Sequence, residues 1–128
     1  MKRPFLVNSQ FFKNKKGDVI KYISKKSKYY KKFGEIYFSE IKKNKIKGWI
    51  KHTRNTCIIC VPSGKVKFFT VKENFKDQKK FILSKKINKL LIIPPGYWFS
   101  FLSINKISLV ANLIDDIHSD NEVIKKNI

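Results

Sequence analysis

Two tight turns constrain this chain more than any other feature. Val61-Pro62-Ser63-Gly64 and Ile93-Pro94-Pro95-Gly96 each close an apolar run, and each is followed at once by another, Val66-Lys67-Phe68-Phe69 and Tyr97-Trp98-Phe99. Proline fixes φ and glycine accepts positive φ, so the backbone must reverse at both places. The stretch from Glu35 to Gly64 and the stretch from Leu90 to Phe101 therefore read as strand–turn–strand units. Lying about 30 residues apart, they suggest the two halves of a small antiparallel β-barrel.

The rest of the chain agrees with an all-β reading. Strands are expected at Val19–Ile23, Glu35–Ile41, Ile46–Lys51, Cys57–Val61, Lys65–Lys72, Lys80–Ser84, Lys89–Ile93, Tyr97–Ser103 and Ile107–Ile114. In the second of these the alternation sets Ile36, Phe38 and Ile41 apart as the apolar side. Phe5-Leu6-Val7 and Phe11-Phe12 form an apolar cluster near the start. Ser24 to Phe33 is too lysine-rich for a buried element and reads as a basic loop or one helical turn, with Tyr29-Tyr30 free to dock on the barrel. The tail, DDIHSDNEVIKKNI, reads as polar and irregular up to a closing turn. No 3.6-residue period of helical length occurs, and short strands between polar turns make a sandwich or barrel.

A chain of 128 residues holds one domain, 1–128, with a real core and no room for a second. No run of 18 apolar residues could span a membrane. Asn8, Ser9 and Gln10 interrupt the opening MKRPFLVNSQFF, so it lacks a signal-peptide core. The expected location is the cytoplasm, with no membrane partner. Cys57 and Cys60 have the CxxC spacing of a redox or zinc motif. Residues three apart on a strand point to opposite faces, however, and no second Cys/His pair completes four ligands. Buried structural thiols are the expectation, with no metal site.

The formal charge of +20 has two readings. All but Arg3 and Arg54 of the 29 basic residues are lysine. A solvated lysine surface keeps a small protein soluble; a functional surface would attract a polyanion or a phosphorylated small molecule. Sequence-specific nucleic-acid readers rely on arginine for bidentate contacts, and here the lysines are spread along the chain. Nucleic acid is thus the weaker alternative partner.

The order GEIYFSEIKKNKIKGWIKHTRNTCIICVPSGKVKFFTV, ILS, LLIIPPGYWFSF, DDIHSDNEV resembles the dTDP-4-dehydrorhamnose 3,5-epimerase family, which belongs to the cupin superfamily. The resemblance runs from about Phe12 to Glu122. It implies a single antiparallel jelly-roll barrel of cupin type, a homodimer, and a nucleotide-diphosphate sugar in the barrel mouth. It also implies a sugar-nucleotide epimerase in surface-polysaccharide synthesis that uses no cofactor. The family's catalytic strand reads Arg-Gly-Leu-His, where this chain has Lys47-Gly48-Trp49-Ile50, so Ile50 replaces the base. Ala111 falls at the family's tyrosine acid and Phe99 at a second histidine. The aspartate that orients the histidine would come from a C-terminal segment that this chain lacks. Gly48, Gly64, Pro94, Gly96 and Phe101 match as scaffold. Lys16 and Lys47 stand where the family has phosphate-contacting arginines.

Epimerisation beside a keto group needs a base, an opposing acid and stabilisation of the enolate. His52 shares strand parity with Ile50, so both should face the lumen. It is the expected catalytic residue, against the plainer reading of a barrel histidine held by a hydrogen bond. Lys16, Lys47, Lys51 and Arg54 are expected to hold the diphosphate, and Trp98 to stack on a ring. A catalytically silent sugar-nucleotide-binding or scaffold barrel is the competing reading.

Overall fold

A computed structural model describes residues 3–87 and 89–127. Twelve strands are found among them: β1 (Phe5–Asn8), β2 (Phe11–Phe12), β3 (Val19–Ile20), β4 (Glu35–Ile41), β5 (Ile46–His52), β6 (Cys57–Ser63), β7 (Lys65–Val71), β8 (Lys79–Ser84), β9 (Lys89–Ile93), β10 (Trp98–Ser103), β11 (Ser108–Ile114) and β12 (Val123–Lys125). A 3₁₀ turn at Glu73–Phe75 is the one helical element in the described chain. The all-β expectation holds, and the architecture is consistent with a cupin-like fold.

Two five-stranded antiparallel sheets form the body, ordered β1-β9-β6-β11-β4 and β12-β5-β10-β7-β8, and β2-β3 make a separate hairpin. Both proline-glycine turns are present, with Gly64 and Gly96 at φ +90. Neither closes a hairpin, however. β6 and β9 lie in the first sheet, while β7 and β10 lie in the second. Each turn is a corner that carries the chain from one sheet to the other, and that is what builds a two-layer body from consecutive strands. Gly64 is needed at its corner for a second reason. A Cβ there would sit 2.6 Å from Ser108 Cα, so the close approach to β11 excludes a side chain.

The inward faces share one core, in which Phe68, Phe99 and Phe101 of the second sheet meet Ile41, Ile59, Leu91, Val110 and Ile114 of the first. The outward face of the first sheet carries a smaller apolar cluster, Ile58, Cys60, Leu90, Ile92 and Leu113. It is covered by Tyr22 and Ile23, which follow β3 and lie beyond its end at Ile20, and by Tyr29 and Tyr30 of the lysine-rich loop, as expected for the tyrosine pair. The two cysteines thus fall in different clusters, Cys57 inward and Cys60 outward, as strand parity required. Burial pushes the Cys57 thiol up to about 12 and the Cys60 thiol up to about 11. The folded protein should therefore resist iodoacetamide at pH 8 and label fully in denaturant, because the thiolate is the reacting form. Rapid labelling of the native protein at either cysteine would contradict this packing.

Three expectations need correction. Ile36 and Phe38 are exposed on the edge strand β4, and only Ile41 of the three enters the core. Their face points outward, because β4 turns Glu35, Tyr37 and Ser39 inward opposite Ile114, Asn112 and Val110. The apolar cluster at Phe5 is a full strand paired with β9. The tail is irregular through Glu122 as expected, but in place of a closing turn Val123–Lys125 adds to β5 and sets Val123 opposite His52.

Candidate functional site

The site forms at the end of the body where β5 finishes and β6, β10 and β12 begin. His52 is the last residue of β5 and is almost fully buried. Its inward direction is shared with Ile50, which packs on the core, and its ring lies parallel to that of Phe99 at 6.3 Å between centroids. The Gly96 N–H donates to the His52 carbonyl at 2.8 Å, so the second proline-glycine turn ties down this strand end.

The group that orients His52 is Glu122. His52 Nδ1 and Glu122 Oε1 are 2.7 Å apart, and the carboxylate has no exposed surface. An ionised carboxylate can only accept, so Nδ1 donates to it, and in the neutral imidazole Nε2 keeps the lone pair. Glu122 Oε2 accepts from the backbone N–H groups of Arg54 at 3.1 Å and Asn55 at 3.0 Å. Its carbonyl accepts from Thr53 N and Thr53 Oγ1. Burial opposes the charge of this carboxylate, but the two N–H donors and His52 outweigh it and hold the group below the ordinary glutamate range. The family's aspartate was tied to the histidine position held here by Ile50; for His52 the chain's own tail supplies an orienting carboxylate. In the sequence Glu122 was one acid among several in DDIHSDNEV, and no local pattern singled it out.

The neighbouring tail residues knit the same corner. Asp115 Oδ1 accepts from the Thr56 N–H at 3.0 Å, and the Asp116 carbonyl accepts from Asn55 Nδ2 at 3.4 Å. On the facing sheet, Tyr37 donates to Glu35 at 2.6 Å. That hydrogen bond, more than burial, pushes the Tyr37 hydroxyl up to about 12, and the charge of Glu122 adds to it. Tyr37 was not among the expected site residues, because alternation alone assigned it to the solvent side. The pairing of β11 with β4 also moves the tyrosine-equivalent position. Ala111 faces outward beside Phe38, and the lumen-facing residue of that segment is Asn112, opposite Tyr37. Asn112 Oδ1 and Thr70 Oγ1 are buried on inward faces without a hydrogen-bond partner among the described residues. Such atoms are expected to find a water or a ligand group.

The expected substrate-binding residues do not gather round His52. Lys51 points the other way, bonding Glu73 at 2.6 Å with its ammonium 5.0 Å over the Trp98 ring. Trp98 is the strand partner of Lys51, so both belong to the outward face of the second sheet. Lys47 Nζ reaches the Glu40 carbonyl at 2.6 Å. Five residues before His52, it lies about 16 Å away along the strand. Lys16 sits exposed in the turn between β2 and β3, its N–H bonded to Asn14 Oδ1. Arg54 remains next to the site: its Nη2 donates to Ser119 Oγ at 3.1 Å.

With this arrangement in hand, similarity to solved structures becomes informative. A dTDP sugar isomerase from Desulfovibrio desulfuricans superposes with a TM-score of 0.91 at 27% identity, covering 97% of this chain and 83% of that one. The fold is that of the dTDP-sugar epimerases and isomerases. A dTDP-6-deoxy-D-glucose-3,5-epimerase from Legionella pneumophila, solved with dTDP-4-keto-L-rhamnose, matches at TM-score 0.82 and 16% identity over 95% of this chain and 71% of that one. A sugar 3,4-ketoisomerase from Thermoanaerobacterium thermosaccharolyticum, solved with TDP, matches at TM-score 0.83 and 15% identity over 97% and 88%. At those identities the last two speak for the fold alone. No protein-family profile and no curated protein matches the chain. The structural relatives include both 3,5-epimerases and a 3,4-ketoisomerase, so the fold hosts more than one isomerisation of dTDP sugars.

Proposed function

We propose that the protein is a sugar-nucleotide isomerase of the epimerase-like cupin group, with a jelly-roll barrel that works as a homodimer in the cytoplasm on deoxysugars for surface polysaccharide. The observation that carries this reading is the buried His52–Glu122 pair. A carboxylate that fixes the Nδ1 tautomer leaves Nε2 as a base of the kind needed to take a proton from a carbon beside a keto group. Tyr37, on the opposing sheet with a protonated hydroxyl held by Glu35, is the candidate acid in place of the tyrosine missing at the Ala111 segment. Asn112 and Thr70 offer unmet hydrogen-bonding capacity to a sugar hydroxyl or enolate oxygen. Arg54, beside His52, is the cation best placed for the diphosphate.

A silent binding barrel is the second reading, favoured by one observation. Phe99 and Ile50 occupy lumen positions where the family resemblance has histidines, and Phe68 and Phe101 fill the space beyond. Incubation with a 4-keto-6-deoxy sugar nucleotide in D₂O separates the two. Catalysis places solvent deuterium at C3 or C5, or moves the keto group, and His52→Ala should slow this by about 10²–10⁴-fold while ligand binding persists. Exchange that survives His52→Ala moves the base elsewhere. Binding without exchange for any candidate sugar leaves the silent barrel.

A further inference from the structure

The end of the body opposite His52 gathers lysines that the sequence scatters. Four turns meet there: residues 42–45, 63–65, 84–87 and 104–107. They are tied by hydrogen bonds from Asn44 N to the Ser103 carbonyl, from Asn105 N to Asn44 Oδ1 and from Ile104 N to the Lys65 carbonyl. Lys42, Lys43, Lys45, Lys65, Lys85, Lys86 and Lys106 project from these turns, and all are exposed. Of the nine Asp and Glu in the chain, only Asp18 and Glu40 lie near this end. Among the described residues one of these lysines has a carboxylate partner, Lys85 with Asp18 at 3.3 Å. A cleft of about 780 Å³ opens between the turns, lined by Lys65, Lys85, Lys86 and Lys106 with Ser63 and Ser84.

Charge alone would describe a solvated surface, but two further features do not fit that description. A lysine surface serving solubility alone would leave the acids distributed evenly, whereas here they collect at the His52 end. Apolar side chains also stand among the lysines at the turn tips, with Ile107 51% exposed and Ile46 44% exposed. These four turns contain no arginine and no aromatic residue, which removes the usual means of gripping bases. Lysines with apolar tips between them are instead the pattern of a surface that rests on a bilayer: the ammonium groups meet lipid phosphates while the isoleucines enter the acyl boundary.

We infer that this lysine-rich turn end is a docking surface for an anionic lipid bilayer, which holds the protein peripherally with the His52 end turned toward solvent. This revises the expectation of no membrane partner. No helix of the described chain is long and apolar enough to cross a membrane, and docking requires no crossing. The inference is independent of the proposed isomerase chemistry, because it uses no residue of that site.

Co-sedimentation of the full chain with vesicles tests it. Binding is expected to phosphatidylcholine vesicles containing about one-third phosphatidylglycerol, and not to phosphatidylcholine alone; each lysine at such a surface contributes about fivefold. Lys65→Gln with Lys106→Gln should weaken binding by about 25-fold, and Ile107→Ser should weaken it at unchanged charge. Lys31→Gln, at the other end, should leave it unchanged. Circular dichroism melts of each variant establish that the loss is not unfolding. Raising salt from about 0.1 M to about 0.5 M should release the protein. Equal binding to neutral vesicles, or equal loss in Lys31→Gln, overturns the proposal. So does tighter binding to a single-stranded oligonucleotide, which would make this a nucleic-acid surface, or full release by millimolar inorganic pyrophosphate, which would make the cleft a soluble-phosphate site.

Discussion

Replacing Glu122 by alanine is expected to cost about 3–5 kcal/mol of folding stability, the range for removing one partner of a buried charged pair. The loss has several parts. His52 Nδ1 loses its acceptor, the Arg54 N–H loses the same carboxylate, and the Asn55 N–H is left buried without it. Glu122→Gln keeps the shape and one acceptor oxygen, so it should lose less stability, while the His52 tautomer preference is weakened. Urea unfolding at pH 7 measures both, and a loss below about 1 kcal/mol in the alanine variant would contradict the role assigned to this residue. The same carboxylate makes the fold acid-sensitive. Its folded-state pKa is depressed, so its stabilising contribution is complete above the ordinary glutamate value of about 4.3 and is lost as pH falls through the lower folded value. Between pH 5 and pH 3 the wild type should lose stability more steeply than Glu122→Gln.

Phe99→Ala is expected to cost a further large amount, about 3–5 kcal/mol, by emptying the centre of the lumen. Phe99 is buried in the shared core, with Phe101 at 6.4 Å on one side and His52 at 6.3 Å on the other. The surrounding strands belong to two paired sheets and cannot close over the gap, so the cavity cost adds to the lost transfer energy. Phe99→Leu keeps most of the volume and should cost less than about 1.5 kcal/mol. Guanidinium unfolding of the two variants decides the matter. Similar small losses in both would mean that the lumen is loosely packed around this ring and that Phe99 does not hold His52 in place.

Much of this architecture is legible in the sequence. The strand positions from Glu35 to Ile114 follow from apolar runs cut by proline and glycine, because turn chemistry is local. The inward parity of His52 with Ile50, and the opposite facing of Cys57 and Cys60, follow from the two-residue period of a strand. The order of motifs pointed to the sugar-nucleotide epimerase family. What parity could not supply was the choice of face for β4. Its alternation fits either direction, and only pairing with β11 turned Tyr37 inward and Ile36 and Phe38 outward.

The remaining features depend on contacts between residues far apart in the chain. Glu122 reaches His52 across 70 residues, and nothing near either residue announces the pair. The separation of Lys51 and Trp98 from the site depends on which side of the second sheet faces the first, a property of packing and not of composition. The lysines look evenly scattered along the chain, and four separate turns collect them at one end only when the two sheets stack. The sequence by itself determined which segments are strands, where they bend and which residues share a face, because those are local consequences of backbone geometry. Only the tertiary structure decided which acid meets the histidine and which surfaces carry net charge, because both arise from long-range pairing whose energy appears when the core closes.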